Sequence, residues 1–291
     1  MFNKLCIIGP GLIGGSIARA ARQRDLCNEI VGYGRPEDVR NLIKGKELKV
    51  IDDFYSDIAP AVAEANLVVI ATPVGSIDFI FEMLKPIWNN ETIYTDVGST
   101  KANVINAAKR VFGKLPENFI PAHPIAGAEQ SGIEASLADL FVNKRLIITP
   151  EEDTNSELLQ KVTLFWERLG AQVSIMSSEH HDAVFAATSH LPHVLAFALV
   201  NMLGRKDEKT EIFKYAASGF KDFTRIASSD PTMWLDICLA NKDEIIPLIE
   251  QLQDELNNIQ KSLKNDNKQQ LLDTFNYARQ SRQRFLDLFE N

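Results

Sequence analysis

The chain has 291 residues, enough for two ordinary domains. Apolar types make up 45% and charged types 24%, the balance of a soluble globular protein; 39 acidic against 31 basic residues leave a formal charge of −8, which argues against a nucleic-acid phosphate track or an anionic membrane surface as the main partner. Three scattered cysteines, Cys6, Cys27 and Cys238, supply neither a disulfide framework nor a CxxC site and suit a reducing, cytoplasmic compartment.

Lys4 and the apolar residues that follow as far as Ala20 imitate a secretory signal. Gly9, Pro10, Gly11, Gly14 and Gly15 break the stretch where such a signal wants unbroken helix formers, so it reads as strand, turn, helix. No unbroken apolar run approaches the ~18 residues that span a bilayer. Strands are expected over 5–9, 29–34, 67–72, 92–97, 119–122, 145–149 and 172–176, several apolar throughout, as parallel strands covered on both faces are. Helix-spaced segments lie between them, such as Ile77, Ile80, Phe81 and Leu84, and Thr154 with Glu157 has the spacing of a capping box before a helix over 158–169. Strand alternating with helix implies an α/β domain over residues 1–178 with a parallel, doubly wound sheet.

From residue 179 onward apolar residues recur at three and four, which implies an all-helical domain over 179–291. Ile245, Leu248, Ile249, Leu252, Leu256, Ile259 and Leu263 make one stripe, and Leu271, Leu272, Phe275 and Ala278 begin another. Two long amphipathic helices at a C-terminus serve equally as a homodimer interface or as cover for the domain's own core. No fused domain is expected before the first strand and no regulatory module after the last helix.

Gly9-Pro10-Gly11-Leu12-Ile13-Gly14 is a GxGxxG between an apolar strand and a helix. Its first glycine permits the tight turn, its second lets backbone approach a pyrophosphate, and its third allows close helix–strand packing. The helix end then offers unpaired N–H donors to the phosphates. This is the arrangement of a Rossmann-type dinucleotide site; the bland alternative is a glycine-rich turn that only packs tightly. Thr72 and Pro73, after the strand over 67–72, are counted with that site. Twenty residues past the loop, where an acid would bind the ribose of NAD, stand Gly34 and Arg35. An arginine there can hold a 2′-phosphate, so the cofactor is read as NADP or NAD with a lean to NADP. Otherwise Arg35 is a solvated surface residue and either cofactor is accepted.

The five histidines are His123, His180, His181, His190 and His193. The last four with Asp182 suggest a metal site, but HxxH lacks the glutamate of HExxH and Pro192 interrupts it, so no metal is assigned. Pro192 instead suits the first turn of a helix, which would put His193 beside a helix N-terminus and disfavour its cation. His180 and His181, in a polar stretch, read as exposed. His123 follows the strand over 119–122, and Ser99 follows the strand over 92–97. Residues at such strand ends face the ligand crevice of an open α/β sheet, although either could be an ordinary turn or cap residue.

Five linked motifs then resemble the prephenate/arogenate (cyclohexadienyl) dehydrogenase family. They are the loop through Gly15 and Ser16, Asp96-Val97-Gly98-Ser99-Thr100-Lys101, the stretch from His123-Pro124-Ile125-Ala126-Gly127-Ala128-Glu129 to Gly132, Ser189-His190-Leu191-Pro192-His193, and the segment from Gly219 through Lys221 and Arg225 to Ala227. The C-terminal helices fit that family's dimerisation region. The resemblance implies an oxidative decarboxylation in tyrosine biosynthesis. His123 would accept the proton of the substrate's ring hydroxyl while hydride leaves C4 for the nicotinamide, and Ser99 would hydrogen-bond that hydroxyl and His123. His193 would contact the substrate side chain and Arg225 a carboxylate, with Lys221, His190 and Trp234 near the substrate.

Arg225 lies in an otherwise apolar run (Phe220, Phe223, Ile226), where an unpaired charge is costly; the alternative is a structural ion pair with Asp222 or another acid. Two departures bear on specificity: Ala128 stands where some relatives have a hydroxyl or larger polar residue, and Gly34-Arg35 replaces the acid of NAD-dependent members. Two other functions keep the same architecture. One is a hydroxyacid or imine oxidoreductase, for which Lys221 is the obvious catalytic lysine, and the other is a non-catalytic NADP-sensing protein.

Overall fold

A computed structural model describes residues 1–128 and 130–290; Glu129, in the His123 motif, lies outside the described residues. The chain divides into two compact units, Met1–Lys242 and the residues from Asp243 onward. In the first, β1 (Phe2–Ile8), β2 (Cys27–Tyr33), β3 (Asp53–Tyr55), β4 (Leu67–Ile70), β5 (Ile93–Asp96) and β6 (Phe119–Ile120) form one parallel sheet in the order β3-β2-β1-β4-β5-β6. That is the doubly wound order whose direction reverses between β1 and β4, the place where such sheets bind dinucleotides. A second sheet holds β7 (Ala122–Pro124), β8 (Arg145–Ile148) and β9 (Gln172–Ile175).

Helices α1 (Leu12–Gln23), α2 (Val39–Glu47), α3 (Ile58–Val62), α4 (Ile77–Leu84), α5 (Ala102–Phe112) and α6 (Ser156–Arg168) cover the two faces of the large sheet. The apolar strands are explained by this double cover. Leu5 and Ile7 of β1 join one core with Ile17, Leu42 and Phe165, whereas Cys6 and Ile8 join another with Phe81, Val104 and Ile105. Side chains alternate across a strand, so both sets must be apolar when both faces are buried.

Three features depart from the sequence reading. The short strand β3 has no apolar run to announce it: its residues are half-buried at the sheet edge, and the acid before it, Asp52, is occupied in accepting the Ile30 amide at 2.8 Å. The expected strand over 119–122 is two strands. Pro121, with no N–H to give a ladder, breaks it, and its carbonyl instead accepts the Thr149 amide at 3.0 Å as the chain passes into the second sheet. There β7 runs antiparallel to β8, with His123 opposite Ile147, so the strand elements are not all parallel and His123 lies within a strand rather than past its end.

The third departure concerns Pro192. Helix α7 (Ser178–Phe185) does not stop before it but passes through a π-helical turn, Ala186–His190, straight into α8 (Leu191–Thr210). The Leu191 amide bonds the Ala186 carbonyl five residues back. The wider turn accommodates a ring that would clash in a regular helix and a missing donor. His193 is therefore not at a free helix N-terminus. The continuous segment Ser178–Asp207 is also long and apolar enough, by length and composition, to cross a membrane. A search for unbroken apolar runs overlooks it because Ser189, His190, Pro192 and His193 interrupt the sequence. Only 17% of its most apolar stretch is buried within the chain.

The first unit closes with α9 (Ser218–Thr224) and α10 (Pro231–Ala240), where Trp234 and Ile237 pack with Val74 of the turn after β4. The approach is tight at Gly75, where an added Cβ would run into the Asp236 carboxylate. Among the described residues the last strand ends at Ile175 and only helices follow from Ser178, while the compact units divide later, after Lys242. The second unit is a helical hairpin, α11 (Lys242–Lys264) and α12 (Lys268–Glu290). Its turn is held by the Asn267 amide on the Ser262 carbonyl at 2.9 Å. The predicted stripes are covered only in part: Ile245 is buried, whereas Leu256 (56%) and Leu263 (61%) of the first and Leu272 and Phe275 of the second are exposed.

Candidate active site

The glycine loop has the three distinct environments expected of a dinucleotide cradle. Gly9 has φ +83°, in the left-handed region, and a Cβ there would meet Thr72 Cγ2 at 2.9 Å. Gly11 faces open space, with nothing within 4 Å of an added Cβ. At Gly14 a Cβ would lie 2.7 Å from Ile7 Cγ2 and 2.8 Å from the Gly9 carbonyl, so this glycine permits α1 to lie on β1. Leu12 and Ile13 open α1, whose first turn carries no acid and no side-chain cap, leaving N–H donors for phosphate. Asn41 Nδ2 fixes the loop by donating to the Pro10 carbonyl at 2.9 Å. Beside it, after β4, the Thr72 hydroxyl is buried without a partner, and exposed Pro73 leads into the next turn. A pyrophosphate-bearing group fits this cradle.

Arg35, past the end of β2, is 61% exposed and paired with Asp38 at 3.1 Å and Glu37 at 3.2 Å. Both acids hold its guanidinium, led by the Asp38 hydrogen bond, and raise its pKa. The local charge is therefore net negative, which offsets the attraction that Arg35 and the missing acid at Gly34 would have for a 2′-phosphate. These exposed pairs weaken the lean toward NADP.

A buried polar network lies behind His123. Its Nδ1 is 2.8 Å from His181 Nε2, and His181 Nδ1 is 2.7 Å from Asp182 Oδ1. Asp182 also accepts the Lys101 amide at 2.8 Å and the Ala102 amide at 2.9 Å, at the start of α5. Fully buried Lys101 pairs through Nζ with Asp96 and donates to the Ala122 carbonyl at 2.9 Å; Asp96 in turn accepts the Ala122 amide at 3.1 Å. The residues on both sides of the β5 turn thus fasten the chain next to His123. Asn241 Nδ2 donates to the Asp182 carbonyl at 2.8 Å and lies 3.0 Å from His190 Nδ1.

Burial, with His181, Lys101 and His190 nearby, lowers His123 well below the ordinary histidine pKa, so it is neutral at pH 7 and able to accept a proton. Burial likewise lowers His181, against the opposing pull of Asp182. Burial alone would raise Asp182, but the bonds from His181 and the two amides hold it below the usual carboxylate range. Burial lowers His190 to about 4.

A cleft of about 460 Å³ opens in front of this network. It gathers His123, His193, Arg225 and Trp234, together with Ala128 and Phe185. His193 stacks on Trp234 with centroids 3.6 Å apart, and its Nδ1 donates to the Ser189 carbonyl at 2.8 Å. Its pKa is lowered by burial and the charge of Arg225, a cause other than a helix terminus that also favours the neutral imidazole. The indole N–H of buried Trp234 has no partner.

Ser99, His190 and Lys221 are not part of the lining. Ser99 follows β5 as expected, and the bond between its backbone and buried His190 ties its turn to the helix. Lys221 is exposed on α9. Arg225 is exposed too, and so is Phe223 at 48%, while Phe220 and Ile226 are half-buried, so the apolar burial expected around the arginine is only partial. The sequence reading also placed His181 on the surface, whereas it is fully buried, unlike exposed His180. It missed Asp96, Lys101, Asp182 and Asn241 as parts of the site. The available signal was two opposite charges, Asp96 and Lys101, flanking a glycine turn at a strand end.

A dinucleotide cradle next to a neutral histidine and an open cleft defines a nicotinamide-dependent oxidoreductase. Residues 17–175 match the family description "Prephenate dehydrogenase, nucleotide-binding domain", and residues 177–277 match "Prephenate dehydrogenase, dimerization domain". The chain belongs to the prephenate dehydrogenase family. It is 35% identical to the cyclohexadienyl dehydrogenase of Zymomonas mobilis, over 97% of this chain and 96% of that protein. It is similar to the crystal structure of prephenate dehydrogenase from A. aeolicus in complex with hydroxyphenyl propionate and NAD+. That match has TM-score 0.89 and 35% identity, covering 98% of this chain and 99% of that one. Synechocystis arogenate dehydrogenase matches with TM-score 0.79 and 26% identity, over 97% and 99% of the two chains.

Proposed function

We propose that the protein catalyses the NAD(P)-dependent oxidative decarboxylation of prephenate, arogenate or both, yielding 4-hydroxyphenylpyruvate or tyrosine with CO2. The observation that carries this reading is His123: a neutral imidazole with Nδ1 engaged at its back and Nε2 left for the cleft. It takes the proton of the ring hydroxyl, a step worth ~10²–10⁴ in rate. The bound nicotinamide supplies the acceptor for the hydride that leaves C4. As hydride departs, the bond to the ring carboxylate breaks, CO2 leaves, its electrons complete an aromatic ring, and the proton held by His123 returns to the ring oxygen. The protein has mainly to position the substrate and hold one proton.

In this reading Arg225 holds a substrate carboxylate, His193, stacked on Trp234, contacts the side chain, and Ser99 reaches the ring hydroxyl. His190 acts through the Ser99 turn, and Lys221 contributes positive potential at the rim. Ala128, in the lining, leaves room in the cleft and bears on the choice between prephenate and arogenate. Both NAD and NADP are accepted, because Glu37 and Asp38 offset Arg35. The outward apolar residues of α11 and α12, together with the family's dimerization region, support a homodimer, and the composition supports a cytoplasmic one.

Mixing the protein with prephenate or arogenate and with NAD or NADP, and following the absorbance of reduced nicotinamide, tests the proposal. Turnover with at least one substrate is expected, with rates on the two cofactors within about tenfold. Absence of turnover in all four mixtures would refute it.

A further inference from the structure

The geometry points to Asp182 and His181 as a two-residue relay that fixes the tautomer of His123, so that its basic lone pair lies on Nε2, toward the cleft. The inference rests on the proposed role of His123 as base and assigns what orients it.

Asp182 receives three N–H groups, from the Lys101 and Ala102 amides and from His181 Nδ1. A carboxylate filled in this way is an acceptor only, so the hydrogen in the 2.7 Å contact belongs to His181. A neutral imidazole with hydrogen on Nδ1 has its lone pair on Nε2. At the 2.8 Å contact, His181 Nε2 therefore accepts and His123 Nδ1 donates. That leaves the lone pair of His123 on Nε2, and no other arrangement satisfies both contacts while the two rings are neutral.

The relay is held from several sides. Asn241 donates to the Asp182 carbonyl, and the amides of α5 hold its carboxylate. Phe185 packs against both imidazoles, at 5.0 Å from His123 and 4.5 Å from His181. The other ionisable groups facing the pair are Lys101 and Asp96, from the β5–α5 turn, and His190, from the π turn. When His123 takes the substrate proton, its Nδ1–H stays on His181 and the new charge lies one ring away from the Asp182 carboxylate. No further proton has to move. His181 and Asp182 are thus positioning residues, acting through His123.

Two measurements test the relay. Two-bond ¹H–¹⁵N correlation spectra of the wild-type protein, with His123 assigned from the His123→Asn variant, read its tautomer without substrate or turnover. The Nδ1–H form is expected at pH 7.5; the Nε2–H form would overturn the relay. His181→Phe keeps a ring beside Phe185 but removes the acceptor, and should lower kcat on the order of 10²-fold with KM changed less than about threefold. His181→Gln, whose amide oxygen can accept from Nδ1, should recover a substantial part of that loss. Unchanged kcat in His181→Phe, or no recovery in a His181→Gln protein that binds cofactor normally, would also overturn it. A large loss in His123→Asn with none in His181→Phe would sink the relay alone, whereas wild-type turnover in His123→Asn would sink the base itself. If His181→Phe does not fold, the wild-type spectrum still decides.

Discussion

Behind His123, the side chains of Asp96, Lys101, His181 and Asp182 are buried and bonded to one another or to nearby backbone, while across the cleft Arg225 and its neighbours Lys221 and Phe223 are exposed. The first wall is preorganised: its donors and acceptors are assigned before any ligand arrives, so little reorganisation accompanies proton transfer. The second is an exposed rim that carries the charges of Arg225 and Lys221. The contrast predicts that changes on the buried wall act on the chemical step and on stability, and that changes on the rim act on binding.

The largest expected effect is that of His123→Asn, a fall in kcat of ~10²–10⁴ with cofactor binding retained. A variant with lost cofactor affinity and intact kcat would reverse the assignment of walls. Next is Arg225→Ala, with a tenfold to hundredfold rise in substrate KM and a smaller change in kcat, roughly 1.4–3 kcal/mol of binding. A KM that hardly moved would assign Arg225 to a structural ion pair.

The buried wall should also make the fold acid-sensitive. His190 has a folded pKa of about 4 against the ordinary 6.5, so the unfolded chain takes up its proton first as pH falls. Stability is full above about pH 6.5 and is lost on the way down to about 4, by roughly 3 kcal/mol for this group. Urea unfolding at pH 7 and pH 4.5 measures it, and His190→Gln should flatten the slope. An equal slope in the variant would show that other groups carry it.

At the cofactor cradle, Gly11→Ala should raise the KM for NAD severalfold without changing the melting temperature, because its Cβ meets no protein atom. Gly14→Ala should lower the melting temperature as well, by overpacking worth roughly 1–3 kcal/mol. Equal melting temperatures would contradict the packing role of the third glycine. The smallest effect belongs to Arg35→Ala, less than about threefold in the NADP-to-NAD preference, since Glu37 and Asp38 already offset its charge. A tenfold loss specific to NADP would restore the 2′-phosphate role.

The cradle was legible in the sequence because its chemistry is made by backbone, and glycines mark where backbone must turn or come close. The two-face burial of β1 and β4 was legible for a similar reason, since continuous apolar runs follow from it. The wall behind His123 was not. Its members come from positions 96, 101, 123, 181, 182 and 241, and their pairing depends on β7 leaving the parallel sheet at Pro121 and on the start of α7 packing against the β5–α5 turn. Local polarity made His181 look exposed, yet a ring that can bond Asp182 on one nitrogen and His123 on the other is well served by burial. The orientation of Arg225 toward solvent likewise could not be read from the apolar residues flanking it.

The most direct test of the account is the pH dependence of kcat/KM for prephenate with NAD, in the wild-type protein and in His123→Asn. The account predicts a wild-type rate that falls on acidification with an apparent pKa below 6.5, and a variant at least about 10²-fold slower from which that limb has gone. A variant that kept both the wild-type rate and the acid limb would show that the proton is taken elsewhere.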